Sequence, residues 1–457
     1  MEKSIKEKLL GKRILFATFP FDGHFSPLTG LARFLALSGC DVRWYTSSIY
    51  KNKIERLGIS FLPFVYAPEI NNVNFRDVFP EREQITDLGE KASFDLTNAF
   101  VKMAPGALKD LQQIEQDFPF DIIIADSAFC VIPFIKSKLN KPVIAISIMP
   151  LATESVDLGP YGPGLLPPTN EQQRKEYAEL KDLFQNVIFK EAIDTLSTLL
   201  EEHRIPHKKS PVFDFIIRHA DLCLQIGTPS FEYKRNDLGN NVRFIGSLLP
   251  YSAPKKQKTW FDDRLNRYQK VVLVTQGTVE KDTSKLLEPS LEALKNSDIL
   301  VIATTGGHET HSLKKKFPYD NIIIEDFIPF AEIMCHASVY ITNGGYGGTL
   351  LSIKHRLPMV AAGLHEGKAE ICSRVGYFGC GINLNSESPS PEMIRAAVTT
   401  VIHNDVYKEN ISRLAEELET YHAEELCAQY VIELLEKKQT VMLPTAEFGD
   451  IDHSNTE

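Results

Sequence analysis

His24 stands in the segment Phe19-Pro20-Phe21-Asp22-Gly23-His24-Phe25-Ser26-Pro27, between a short apolar run and a helix-like stretch. Histidine side chains titrate near neutrality, so one at such a turn can take a proton from an attacking hydroxyl. Its ring could equally satisfy the turn itself. Asp126 ends another apolar run, Ile122-Ile123-Ile124-Ala125. An acid there can accept the second N–H of a cleft histidine and fix its tautomer, or cap the next helix. Late in the chain, Val339-Tyr340-Ile341-Thr342 breaks into Asn343-Gly344-Gly345-Tyr346-Gly347-Gly348-Thr349, and a helix-like stretch follows from Leu350. Free N–H groups at a strand–glycine–helix junction, beside the positive end of a helix dipole, can hold a diphosphate. Gln276-Gly277-Thr278 follows the run 271–275 and would face the same cleft or form a plain turn. Phe327-Ile328-Pro329-Phe330 could stack a base or belong to the core.

These residues must be positioned by strands that alternate with helices. Apolar runs at 13–18, 42–46 and 61–64 predict strands. A helical face at 27–38 carries Leu28, Leu31, Ala32 and Leu35, with Gly39 as its stop, and 51–57 predicts the next helix. That β-α-β-α-β order implies a parallel sheet. Runs at 121–125 and 142–146 add two strands. After a stretch rich in Pro, Ser and Lys at 248–256 the alternation restarts, with strands at 271–275, 299–304, 321–324, 339–341, 359–361 and 381–384. A helix is expected over 282–295 and long helices from 391 to 438. The fold class is therefore α/β, two doubly wound Rossmann-like domains facing across a cleft. Ligands in such sheets sit outside the carboxyl ends of the strands. The expected segments are a first domain over 1–247, a linker at 248–262 and a second domain over 263–418. A C-terminal helix at 419–442, able to pack back on the first domain, and a flexible tail at 443–457 complete the chain. Phe-rich helical stretches at 66–118 and 151–210 read as pocket walls beside strand ends, or simply as packed helices.

Composition removes other classes. A net charge of −10 over 457 residues argues against nucleic acid or an anionic membrane as the main partner. No apolar stretch approaches the roughly 18 residues of a membrane span, and the polar N-terminus is unlike a signal peptide. Seven scattered cysteines without a Cys-x-x-Cys pair predict reduced thiols in a cytoplasmic protein and no metal site. The first strand-turn lacks the Gly-x-Gly-x-x-Gly spacing of a dehydrogenase.

Over nearly its whole length the chain resembles the nucleotide-sugar-dependent glycosyltransferases of GT-B fold, the large family of plant and bacterial small-molecule UDP-glycosyltransferases. The motifs that carry the resemblance are Gly23-His24-Phe25-Ser26-Pro27-Leu28, Asp126, Gly246-Ser247-Leu248, Gln276-Gly277-Thr278 and Thr342-Asn343-Gly344-Gly345. The resemblance implies an inverting displacement without metal, with His24 as general base oriented by Asp126. It implies a donor site built from Gln276, Gly277 and Thr278, from Phe327 and Ile328 at the base, from Asn343, Gly344, Gly347, Gly348 and Thr349 at the diphosphate, and from Glu366 and Lys368 at the sugar. Phe21, Phe94 and Phe129 are the candidate acceptor contacts. The Asp-x-Asp at Asp450-Ile451-Asp452 lies in the tail, so no metal is expected. No cofactor is expected beyond the nucleotide sugar, a cosubstrate.

Departures from the family pattern narrow the donor. Asn343 replaces the usual histidine, so an amide would supply that phosphate contact. Phe327 replaces the base-stacking tryptophan, and Phe330 a hydrogen-bonding glutamine. Leu351 stands where a glutamate would hold the ribose hydroxyls. Gly367-Lys368 replaces the Asp-Gln pair that grips glucose, with Glu366 one place early. In these respects the chain is most similar to bacterial flavonoid rhamnosyltransferases and deoxysugar transferases. That implies dTDP-rhamnose as donor and a phenolic acceptor such as a flavonoid. UDP-glucose and a macrolide or lipid acceptor are the alternatives. Further readings are a non-catalytic nucleotide-sugar-binding partner and an epimerase or phosphorylase on the same fold. The expected partners are the donor and a small-molecule acceptor, with the chain a monomer or homodimer.

Overall fold

The computed structural model describes residues 2–252, 260–277 and 280–442. Thirteen strands among these residues form two sheets. The first holds β1 (Arg13–Ala17), β2 (Asp41–Thr46), β3 (Ser60–Pro63), β4 (Ile122–Asp126), β5 (Val143–Ser147), β6 (Leu222–Gln225) and β7 (Val242–Phe244), in the order β3-β2-β1-β4-β5-β6-β7. The second holds β8 (Lys270–Thr275), β9 (Ile299–Thr304), β10 (Ile322–Glu325), β11 (Val339–Thr342), β12 (Met359–Ala361) and β13 (Gly381–Asn383), in the order β10-β9-β8-β11-β12-β13. All pairings are parallel. The central strands are buried on both faces, which is why they read as continuous apolar runs.

Each sheet reverses its strand order once, between β1 and β4 in the first and between β8 and β11 in the second. Ala17 pairs with Ala125, so the turns holding His24 and Asp126 emerge side by side. Thr275 pairs with Thr342, so the Gln276 and Asn343 turns do the same. Crevices at such switch points are where doubly wound sheets bind ligands.

Several elements differ from the sequence reading. The helix expected over 282–295 is Leu287–Leu294. Pro289 lacks an N–H and fits only the first helical turn, so the helix cannot begin much before it. Glu2–Leu9 is helical, with Ile5 and Leu9 buried. It packs on the terminal helix Ala423–Met442, which also lies against Leu28–Leu37 of the first domain. Strands β6 and β7 carry no clear sequence signal. Of the expected linker, only 248–252 and 260–262 fall within the described residues, and the tail 443–457 lies outside them. One apolar core cluster runs through both domains, joining Ile226 and Phe231 of the first to Tyr346 and Leu350 of the second. Six of the seven cysteines are buried and all are unpaired.

Candidate active site

Phe25 anchors the turn that carries the histidine. Its buried ring stacks on Tyr50 (centroids 4.1 Å apart) and tilts against Trp44 at 4.6 Å. His24, the preceding residue on the same short helical turn Asp22–Phe25, is left beside β4. Its Nδ1 lies 2.9 Å from Asp126 Oδ1. Asp126 is fully buried and accepts two further N–H groups, from Phe19 at 2.6 Å and from Ala128 at 3.0 Å. Both carboxylate oxygens are thus acceptors of backbone N–H groups. His24 therefore donates from Nδ1 and keeps Nε2 as its basic nitrogen.

Aromatic rings surround that imidazole. Phe19 lies 5.4 Å from it, Phe100 6.2 Å and Phe21 6.5 Å, centroid to centroid. Phe21 meets Phe75 at 5.2 Å, Phe75 meets Phe79 at 5.3 Å, and Phe79 meets Phe94 at 5.7 Å. Phe21 and Phe94 thus belong to one continuous aromatic wall. Phe129 does not. It is fully buried in the core beside Tyr45, at 6.1 Å, and presents no ring face to an acceptor. Sequence reading missed Phe75, Phe79 and the ion pair behind them. Arg82 binds Asp95 through two hydrogen bonds of 2.5 and 2.7 Å, with its guanidinium 5.2 Å from the Phe75 ring. No local pattern marks that pair, because 13 residues separate its members.

In the second domain the glycines divide by role. Gly344 has φ +84, and a Cβ there would lie 2.5 Å from Cys372 Sγ. Gly348 packs under Tyr340, whose hydroxyl would lie 2.9 Å from an added Cβ. Gly347 is exposed, and a Cβ there would meet nothing within 4 Å. It lies in the first turn of the helix Tyr346–Lys354, so Gly344 shapes the turn before the helix and Gly348 packs inside it, while Gly347 faces open space at the helix N-terminus. Unpaired N–H groups there suit an anion.

Three expected donor contacts are otherwise engaged. The Asn343 amide donates to the Gln276 carbonyl and ties the two neighbouring turns together. Gln276 is buried, with Nε2 donating to the Glu280 carbonyl and Oε1 accepting the Leu287 N–H, both at 3.3 Å, so its side chain belongs to the loop. Thr349 is fully buried and its hydroxyl donates to the Gly345 carbonyl at 3.0 Å, so it offers no proton to a phosphate. Gly277 keeps a left-handed backbone, φ +79. Thr278 lies outside the described residues. Phe327 is 72% exposed, beside Gly307, where a Cβ would lie 3.8 Å from its ring, whereas the Ile328 side chain is buried. Glu366 adopts φ +55, unusual for a residue with a Cβ, and accepts Lys368 Nζ at 2.8 Å.

The domains meet close to these turns. Tyr346, inside the glycine motif, donates its hydroxyl to the Ile226 carbonyl of the first domain at 3.2 Å. Burial pushes its pKa well up, so it remains a donor at physiological pH. Gly227 must lack a side chain, since a Cβ would lie 2.6 Å from that hydroxyl. Among the described residues no helix is long and apolar enough to cross a membrane.

Residues 288–434 match the family model described as erythromycin biosynthesis protein CIII-like, C-terminal domain. The chain is 32% identical over 409 residues, 89% of its own length and 96% of the relative's, to 4′-demethylrebeccamycin synthase of Lentzea aerocolonigenes. It is 28% identical over 433 residues to UDP-glucosyltransferase 1 of Beauveria bassiana, covering 90% of this chain and 93% of that one. The crystal structure of the calicheamicin glycosyltransferase CalG4 superposes with a TM-score of 0.73 at 18% identity, over 93% of this chain and 99% of that one. With its two facing Rossmann-like domains and a full-length relative at 32% identity, the chain belongs to the nucleotide-sugar-dependent glycosyltransferases of GT-B fold.

Proposed function

We propose that this enzyme catalyses an inverting, metal-independent transfer of a 6-deoxy sugar, with dTDP-rhamnose the favoured donor, to a hydroxyl of a flat phenolic acceptor such as a flavonoid. The observation that carries the reaction type is the His24–Asp126 pair, set in an aromatic wall with Nε2 as the basic nitrogen. The acceptor O–H proton passes to His24 Nε2 as the acceptor oxygen attacks the anomeric carbon. The bond from that carbon to the diphosphate breaks, and the nucleoside diphosphate leaves with the electron pair. N–H groups at the start of the helix Tyr346–Lys354 meet the charge that develops on the leaving group. No cofactor enters this scheme beyond the nucleotide sugar, a cosubstrate.

For the donor, Leu351 offers no acceptor to a ribose hydroxyl. The space beside Gly367 is filled by Met149, whose Cε would lie 2.5 Å from a Cβ at that position. A thioether there suits a sugar carbon that lacks its hydroxyl. The phenolic acceptor is supported by the wall from Phe21 through Phe75 and Phe79 to Phe94. UDP-glucose is the second reading, favoured by the relative named UDP-glucosyltransferase 1. Mass spectrometry of products formed with dTDP-rhamnose and UDP-glucose on a panel of phenols tests the choice. Higher kcat/KM with dTDP-rhamnose is expected. A strong preference for UDP-glucose would remove the deoxysugar assignment, and no product from either would remove both.

A further inference from the structure

A buried charge network joins the two domains beside the 363–368 loop. The helix Lys368–Tyr377 begins directly after Glu366-Gly367. Glu370, in its first turn, is 4% exposed. Its Oε1 accepts the N–H groups of Gly162 at 2.8 Å and Gly164 at 3.0 Å, both on the long segment that follows β5 in the first domain. Its Oε2 accepts Arg374 Nη1 at 2.8 Å. Arg374 is 1% exposed and reaches across to Glu232 Oε1 at 2.5 Å, with its guanidinium 4.2 Å from the Tyr233 ring. Glu232 also accepts Arg235 Nη2 at 3.3 Å and the Leu151 N–H at 3.1 Å. Two carboxylates and two guanidiniums are thus buried together with no net charge. Backbones come equally close, since a Cβ on Gly164 would lie 2.5 Å from the Ala369 carbonyl oxygen.

Replacing buried ion pairs by apolar residues is often neutral or stabilising, so stability alone is a poor reason for four buried charges. What the network imposes is a fixed geometry. The β5 segment is next in the sheet to β4, which ends in Asp126. The helix Lys368–Tyr377 carries the 363–368 loop at its start. We propose that Glu370 and Arg374, with Glu232, are positioning residues that register this loop against the domain carrying His24, so that the anomeric carbon lies in line with the acceptor oxygen. The inference rests on the donor-site reading above.

The test uses Glu232→Gln, Arg374→Met and Arg374→Lys in the full chain. It measures the Kd for dTDP and UDP, kcat for transfer, and the share of donor lost to water. Glu232→Gln and Arg374→Met should lower kcat roughly 10–10²-fold, the cost of a misplacement of about an ångström. Nucleotide Kd should change less than about twofold, and the hydrolysed share should rise. Arg374→Lys, which keeps the charge, should recover part of kcat. Unchanged kcat, or a loss of nucleotide binding equal to the loss of kcat, would overturn the inference. Should Arg374→Met fail to fold, Glu232→Gln decides, because it leaves Arg374 paired with Glu370. A wild type without transfer refutes the donor-site reading, whereas an active wild type with unaffected variants refutes this inference alone.

Discussion

Asp126 holds three N–H donors on its two oxygens, and only one of them is the imidazole. An asparagine keeps the size but replaces one acceptor oxygen with a donor. Asp126→Asn should therefore let His24 adopt the other tautomer and lower kcat roughly 10²–10⁴-fold, with nucleotide Kd unchanged. Wild-type kcat in that variant would show that the tautomer does not matter. Phe327 poses the opposite case, a large apolar ring left 72% exposed. Phe327→Ala should leave Tm unaltered yet weaken nucleotide binding by about 1–3 kcal/mol, the scale of one lost base stack; calorimetric titration with dTDP and UDP checks it. The pairing of His24 with Asp126 was legible in sequence because one closely follows a buried strand and the other ends one. For Asn343, Gln276 and Thr349 only the folded turns reveal that their side chains already have partners within the protein. Arg82 and Asp95 were invisible, since nothing local says that their helical segments face each other.

Within one strand–turn–helix element, neighbouring glycines serve different ends. Gly344 needs its left-handed backbone and has Cys372 against it, whereas Gly347 faces open space. Gly344→Ala should cost about 1–3 kcal/mol of stability, read as a fall in Tm. Gly347→Val should leave the fold intact and raise the Kd for nucleoside diphosphates roughly tenfold, about 1.4 kcal/mol. Equal effects of the two on Tm would contradict this division. The buried central strands were legible because each carries an unbroken run of Val, Ile and Leu, as in Lys270–Thr275 and Ile299–Thr304. Strands β6 and β7 were not, being four and three residues long with polar residues among them. Glu2–Leu9 is hard to see in the sequence because its charges mask the two side chains, Ile5 and Leu9, that hold it to the core.

For the whole molecule, the sequence announces two sheets by restarting its strand–helix alternation, but it carries no sign of how the sheets face each other. That comes from contacts more than 100 residues apart, such as Tyr346 with Ile226 and Arg374 with Glu232. These contacts hold the glycine turn of the second domain against the first domain, which carries His24 and the aromatic wall. The proposed direct displacement predicts a product anomer opposite to that of the donor, readable from the anomeric coupling constant by NMR, and retention would exclude it. The most direct measurement compares initial rates of glycoside formation by the wild type and by His24→Ala, alongside nucleotide Kd for each. A loss of roughly 10²–10⁴-fold with unchanged Kd is the predicted result for a general base. Near-normal turnover by His24→Ala would contradict it.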